Sequence, residues 1–474
     1  MKPSTLDIEN EKEVQIFNVD HVEKMGSRTW DESKKLWKIA APAILTTVAQ
    51  FSIGFVTVAF VGHLGEVELA AVSVVQNVLE GFVFGVMLGM GSALETLCGQ
   101  AVGAGQYEML GIYLQKSCVI TLVTALFLSP LYIFTSPILK LLRQSKSISH
   151  LAGKYARWVI PQLFAYALNF PVQKFLQAQS EVWVMAVISL LGLGIHVFLN
   201  WLVVIKLGKG LLGAAIVENV SWCLVVIAQM VYVVSGFFPV SWTGLSLKAF
   251  TSLYRFLKLS LASAIMLCLE LWYYTLVILM VGWLKNPEIA VDAISICMNL
   301  ELWTLMITLG FHVAISEILC RSAVVSSTLF GVVFTGSILA TKSVFPRMFS
   351  DKAEVINETS KLGYFLAATI LLNSIQPVLH GVAVGAGWQV SVALVNIGCY
   401  YVFGLPLGAL VGYKFDLGVR GIWLGMLSGC LLQTVVLVLL VSRANWNQEV
   451  CTLHNVVVFL VLILIFGIGF RGHG

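Results

Sequence analysis

The chain has 474 residues, 58% of them hydrophobic and only 11% charged, with a mean hydropathy of +0.89. Soluble domains carry about a quarter of their residues as Asp, Glu, Lys and Arg, so this composition excludes that class and indicates a polytopic membrane protein. The net charge of +4 is small for the length and offers no footprint for nucleic acid.

Residues 1–33 mix acids and bases without an apolar core, which predicts a polar tail and no cleavable signal peptide. Trp37 to Val61, containing Pro42, and Leu69 to Leu94 predict the first two membrane helices, joined by a short link from Gly62 to Glu68. A glycine-rich run from Leu97 to Gln106 follows. A phosphate loop needs a strand before it and Lys with Ser or Thr after it; both are missing, so the run predicts a tight turn. Further spans at about 112–142, 155–176, 182–205 and 211–237 complete six. An amphipathic linker from Pro239 to Arg255 leads into Leu259 to Leu284, an apolar stretch between Lys258 and Lys285 interrupted by one charge, Glu270. At 1.5 Å per residue that stretch spans a hydrocarbon core of about 30 Å. The twelfth span is Leu424 to Val441. The apolar run from Val456 to Phe470 is shorter than the about 17 residues a crossing needs and predicts an interfacial segment. Nine cysteines, at 98, 118, 223, 268, 297, 320, 399, 430 and 451, lie scattered without a CxxC pair or histidine neighbours, so neither a disulfide framework nor a metal site is expected.

The pattern repeats. Val61-Gly62-His63-Leu64 returns as Val281-Gly282-Trp283-Leu284 at an offset of 220, and Leu88-Gly89 as Leu309-Gly310 at 221. Later markers match at 209 (Pro137, Pro346), 206 (Pro171, Pro377) and 210 (Leu207-Gly208, Leu417-Gly418). Six spans per unit is an even number, so both units enter the membrane from the same side. The expected fold is an all-α polytopic membrane protein with twelve transmembrane helices in two parallel six-helix repeats. Its parts are a tail (1–33), a first lobe (34–237), a linker (238–255), a second lobe (256–443) and a C-terminal tail (444–474). The fall in offset removes about a dozen residues between Gly310 and Pro346, where Glu317 to Ser327 stands in place of a glycine-rich turn, and predicts a strained junction of the eighth and ninth helices. Lys and Arg divide nearly evenly between alternate loops, so charge does not orient the chain.

A carboxylate in the middle of a span costs a few kcal/mol, so Glu270 is expected to face a polar cavity and titrate there; the alternative is a protonated acid bonded across a helix interface. Gln50 stands opposite it in the first repeat. Asp292, Ser295 and Asn299 form one polar stripe on the following helix, and Glu301, Thr304, Thr308 and His312 another. Glu301 aligns with Glu80, which continues the line Ser73 and Asn77. Together these predict a hydrated cavity between the lobes, against a reading in which each polar group only bonds a neighbouring helix and Asp292 is an interfacial or capping acid. Trp272, Tyr273 and Tyr274 are candidates for stacking on an aromatic solute, although steps of about 100° allow only one or two of them to face it.

Four motifs carry a resemblance: Pro42 opening a helix that ends Val61-Gly62-His63-Leu64-Gly65, the Cys98-Gly99-Gln100-Ala101 turn with Gly103-Ala104, Phe175-Leu176-Gln177-Ala178-Gln179-Ser180, and the run from Gly381 to Gln389. From about Trp37 to Glu449 the sequence closely resembles the multidrug and toxic compound extrusion family, in its plant DETOXIFICATION branch and flavonoid-transporter-like group. The resemblance implies two six-helix lobes, cytosolic termini and proton-coupled efflux of organic solutes such as flavonoids, alkaloids and xenobiotics by alternating access. It implies small solutes, protons and the lipid bilayer as partners, a monomer without cofactor or metal, a vacuolar or plasma membrane location, and a proton site at Glu270. Thr57 and Val58 stand where archaeal and bacterial relatives carry an acid, and Asn373 where many relatives do, so titration is concentrated on Glu270. The family's Asn-Glu-Leu-Gly-Ala-Gly run in the second lobe is missing, which makes a transport-impaired variant one alternative. A flippase for a lipid-linked substrate is another, but it calls for a basic cavity and the spans hold almost no Lys or Arg. For a membrane-embedded enzyme, His312 and Glu317 match no catalytic motif.

Overall fold

The computed structural model describes residues 34, 37–141, 144–284, 287–315, 320–349 and 352–443. These fold into helices α1 (Trp37–Gly62), α2 (Glu66–Gly103), α3 (Glu108–Ile133), α4 (Thr135–Leu141), α5 (Lys146–Trp158), α6 (Ile160–Ala178), α7 (Val182–Lys206) and α8 (Gly210–Val234). A 3-10 turn at Leu247–Phe250 leads to α9 (Leu253–Gly282), α10 (Pro287–Ile315), α11 (Cys320–Thr341), α12 (Ala353–Gly385), α13 (Gln389–Lys414) and α14 (Gly418–Arg443). Helix is the form that satisfies every backbone N–H and C=O inside hydrocarbon, which is why apolar runs of this length adopt it.

Among the described residues ten helices are long and apolar enough to cross a membrane. Two shorter helices stand at the remaining two expected spans: α11, apolar over Ser326–Thr341, and α6, of 19 residues. The expected spans at 112–142 and 155–176 are subdivided in the structure. Pro130 lies near the end of α3, where Phe134 N–H bonds the Pro130 carbonyl before α4 begins. Ser145 caps α5 by accepting the Ile148 amide at 3.2 Å, and Pro161 opens α6. The linker is shorter than Pro239 to Arg255, since α9 is already helical at Leu253.

The repeat is visible in how the two six-helix sets touch. A Cβ on Gly89 of α2 would overlap the Ala264 backbone on α9, standing 2.8 Å from its nitrogen, and one on Gly310 of α10 would stand 2.8 Å from the Ile44 nitrogen on α1. Gly89 and Gly310 are 221 residues apart, and Ile44 and Ala264 are 220 apart, so these are the same contact made twice about a pseudo-twofold axis. Small residues at both crossings let the helix backbones come close, as membrane helix packing favours. The aromatic contacts follow the same symmetry. Phe82 stacks on Trp272 with centroids 5.4 Å apart, while Trp303, the counterpart of Phe82, meets Phe51 edge-on at 5.1 Å. One apolar core fills the first set, around Tyr132, Tyr155, Phe170 and Trp222, and another the second, around Tyr273, Leu366, Tyr400 and Trp423. Ring and hydrogen-bond contacts between the sets run from the starting ends of α1 and α9 as far as Phe55 and Trp272. Past these, α1 bonds α7 through Thr57 and His196, and α9 packs on α13 through Tyr273 and Tyr400.

The expected strained junction falls on residues 316–319, outside the described residues. His312 shares the same limit, and its side chain is not described.

Candidate functional site

Glu270 sits on α9 with its side chain 15% exposed, and its Oε2 is 3.2 Å from Nδ1 of His380 on α12. Behind His380 runs a chain of amides and hydroxyls. Gln433 Nε2 on α14 lies 3.0 Å from His380 Nε2 and donates to Asn396 Oδ1 on α13 at 2.6 Å. The Tyr400 hydroxyl donates to Gln433 Oε1 at 2.8 Å, and Gln376 donates to both Tyr400 and Gln433. With Gln433 donating to His380 Nε2, the ring carries its proton on Nδ1 and offers it to Glu270. A change of charge on Glu270 is thus felt through side chains from α9, α12, α13 and α14, in a low-dielectric interior where such networks are strong.

A second cluster lies nearby. Asn373 Nδ2 on α12 donates to Glu301 Oε1 at 2.5 Å and to the Tyr274 hydroxyl at 3.0 Å. Glu301 Oε2 and Asn373 Oδ1 are buried without partners. Asn373 also lines a small open cleft with Thr304, Thr308, Phe334 and Ser374. The three aromatics separate as helical geometry requires. Tyr274, four residues and about 40° from Glu270, is the one on its face. Tyr273 is fully buried, stacked on Tyr400 with centroids 4.3 Å apart and bonding the Met426 carbonyl at 3.1 Å. It is a core residue and does not line a cavity. Trp272 points about 200° away from Glu270, exposed beside the α2 crossing.

The other expected positions fall into three groups. Asn77 and Asn299 are exposed, and each bonds the carbonyl of Ser73 or Ser295 one turn back. Asp292 is exposed close to the start of α10, as an interfacial acid would be. Gln50 bonds Ser189 at 3.1 Å, and Glu80 is buried within the first lobe. His380, Gln376, Asn396, Tyr400 and Gln433 were not among the expected residues. Their signal was present: Gln376 with His380, and Asn396 with Tyr400, are i, i+4 polar pairs on otherwise apolar helices. Among the described residues no group of three His, Cys, Asp or Glu is placed to hold a metal.

The MatE family model matches residues 42–202 and 262–410, two segments that start 220 residues apart, the offset of the internal repeat. The chain belongs to the MatE family. Protein DETOXIFICATION 33 of Arabidopsis thaliana is 53% identical over 446 residues, covering 90% of this chain and 92% of its own length. Protein DETOXIFICATION 29 of the same plant is 52% identical over 433 residues, with coverage of 88% and 87%. The eukaryotic MATE transporter AtDTX14 superposes with a TM-score of 0.84 at 31% identity, over 90% of this chain and 99% of that one. The Vibrio cholerae transporter VcmN in its bent form shares the fold, with a TM-score of 0.74 at 18% identity over 87% and 97%. This MatE chain is a multi-pass membrane transporter of twelve helices, not an enzyme.

Proposed function

We propose that this MatE transporter exchanges protons for amphipathic aromatic solutes of flavonoid or alkaloid type, with Glu270 as the coupling acid. The two lobes, 34–237 and 256–443, rock about their shared crossings to expose the solute to one side and then the other. The chain works as a monomer in a vacuolar or plasma membrane with both termini in the cytosol. The observation that carries this reading is Glu270 itself: a partly accessible acid inside an apolar helix, in contact with an imidazole and through it with a network across the second lobe. Intramembrane acids of this kind mark proton pathways. When Glu270 takes up a proton it gives up the charge that His380 stabilises, and the amide chain behind it must re-sort its donors. Tyr274 and Asn373 place an aromatic face and an amide next to this acid, a combination suited to a ring with polar edges.

The test is uptake into proteoliposomes under an imposed pH difference, screened over flavonoid glycosides, alkaloids and cationic dyes. Glu270→Gln keeps the side-chain shape and removes the titration. The variant should still exchange solute down its gradient and lose pH-driven accumulation. Accumulation by a folded Gln variant at the parent level would overturn the assignment.

A further inference from the structure

A second pair of carboxylates lies deep in the first lobe, away from Glu270. Glu218 on α8 is 1% exposed and Glu80 on α2 is 7% exposed. The two are within electrostatic reach of one another and of the Tyr132, Tyr155 and Tyr166 hydroxyls, contributed by α3, α5 and α6. No Lys, Arg or His is paired with either acid among the described residues.

Donors and acceptors around the pair do not balance. Glu218 Oε2 accepts from the Tyr155 hydroxyl at 2.5 Å, and Oε1 accepts from Gln162 Nε2 at 3.3 Å and from Gln76 Nε2 at 3.5 Å. Those three donors suit a carboxylate. Glu80 Oε1 is buried without a partner, and so is Gln162 Oε1, although Gln162 donates its amide to Tyr166 at 2.6 Å. Two buried acceptor oxygens in this cluster of acids call for a hydrogen. Two buried carboxylates without a cation cannot both be charged at modest cost, so one of the two must carry a proton.

The local backbone also differs from the other repeat. Residues Val75–Glu80 form a π-helical turn, whereas the matching α10 is α-helical throughout. Ser73 and Asn77 match Ser295 and Asn299 at an offset of 222, while Phe82 and Gly89 match Trp303 and Gly310 at 221, so the two repeats fall out of register by one residue at this turn. Such local changes of helical register are frequent at functional sites. Here the turn carries Gln76, half-buried against Gly54, and the exposed Asn77, one helical turn from Glu80.

We propose that Glu80 and Glu218 form a second proton-binding site, in the first lobe, where Glu80 carries an exchangeable proton and Glu218 holds the charge that Tyr155 and Gln162 stabilise. The site extends the proton-coupled reading of Glu270 but does not depend on that residue. The experiment is infrared difference spectroscopy of the purified, reconstituted protein, cycled between about pH 8 and about pH 5 with no solute present. The protonated-carboxyl C=O band, recorded in a Glu301→Gln background, should grow on acidification, keep part of its amplitude in Glu270→Gln, and lose most of that remainder when Glu80→Gln or Glu218→Gln is added. If Glu270→Gln leaves the whole band intact, the Glu270 reading fails and the second site stands. If Glu270→Gln removes the whole band, or the remainder survives both additional substitutions, the second site is overturned. Tyr155→Phe keeps both acids and removes one donor to the Glu218 charge; the remainder should then titrate at higher pH, and an unmoved titration would also overturn the proposal. Displacement of the band by sodium at constant pH would assign the pair to a metal cation instead.

Discussion

Gly89→Ala tests whether the close crossings described above set the balance between lobe arrangements. The added Cβ would overlap Ala264 Cα and stand 2.8 Å from its nitrogen, where ordinary contact begins at 3.4 Å. Both obstructing atoms belong to helix backbone, so no rotamer change relieves them, and α2 and α9 must part by about 1 Å. Overpacking of this kind costs about 1–3 kcal/mol. The cost applies only while these ends touch, so it should shift the population toward the arrangement with this end apart by about 5- to 150-fold. Spin labels at Tyr107 and Tyr254, both exposed, would report the change as a longer distance component. Gly310→Ala should act in the same direction, because its Cβ meets the Ile44 nitrogen at 2.8 Å. Gly194→Ala is the control: nothing lies within 4 Å of its Cβ, and it should leave the distances alone. A Gly89→Ala protein with the parent's distance distribution and melting temperature would show that the crossing has more room than the coordinates give it, and the reasoning would fail.

Two further outcomes are expected. Lys174→Met strips the ammonium 2.7 Å from the buried Glu95 carboxylate and should lower stability in detergent by about 3–5 kcal/mol, with most of the loss recovered by adding Glu95→Gln; a single variant as stable as the parent would refute this. Gln433→Leu leaves Tyr400, Asn396, Gln376 and His380 short of a partner, and about 1–3 kcal/mol for each buried orphan should appear as a lower melting temperature together with weakened pH-driven uptake. Unchanged uptake with lowered stability would confine that network to a structural role.

The repeat was legible in the sequence because it leaves whole markers in order: Leu88-Gly89 and Leu309-Gly310 turn out to be the two halves of one symmetric helix crossing. Glu270 was legible for a simpler reason, since a lone acid in an apolar span of α9 stands out by cost alone. Its partners were not. His380, Gln433 and Asn396 lie on three other helices, and each taken singly reads as an ordinary interhelical hydrogen bond; only packing brings them into one chain. Direction was equally hidden. Trp272, Tyr273 and Tyr274 are neighbours in sequence, but the first meets Phe82 beside the lobe crossing, the second enters the core, and only the third turns toward Glu301 through Asn373. The pairing of Glu80 escaped because Glu218 comes from α8, which no offset in the repeat links to α2, and because a π turn at Val75–Glu80 rotates the acid off the face that Asn77 presents. Gln50 and Glu270 occupy one position of the shared fold, yet the amide bonds Ser189 while the acid meets His380. A duplicated backbone therefore carries two different electrostatic sites: an acid with an imidazole in one lobe, and two carboxylates among tyrosines in the other. The two proposed proton sites are separable by substitution for that reason.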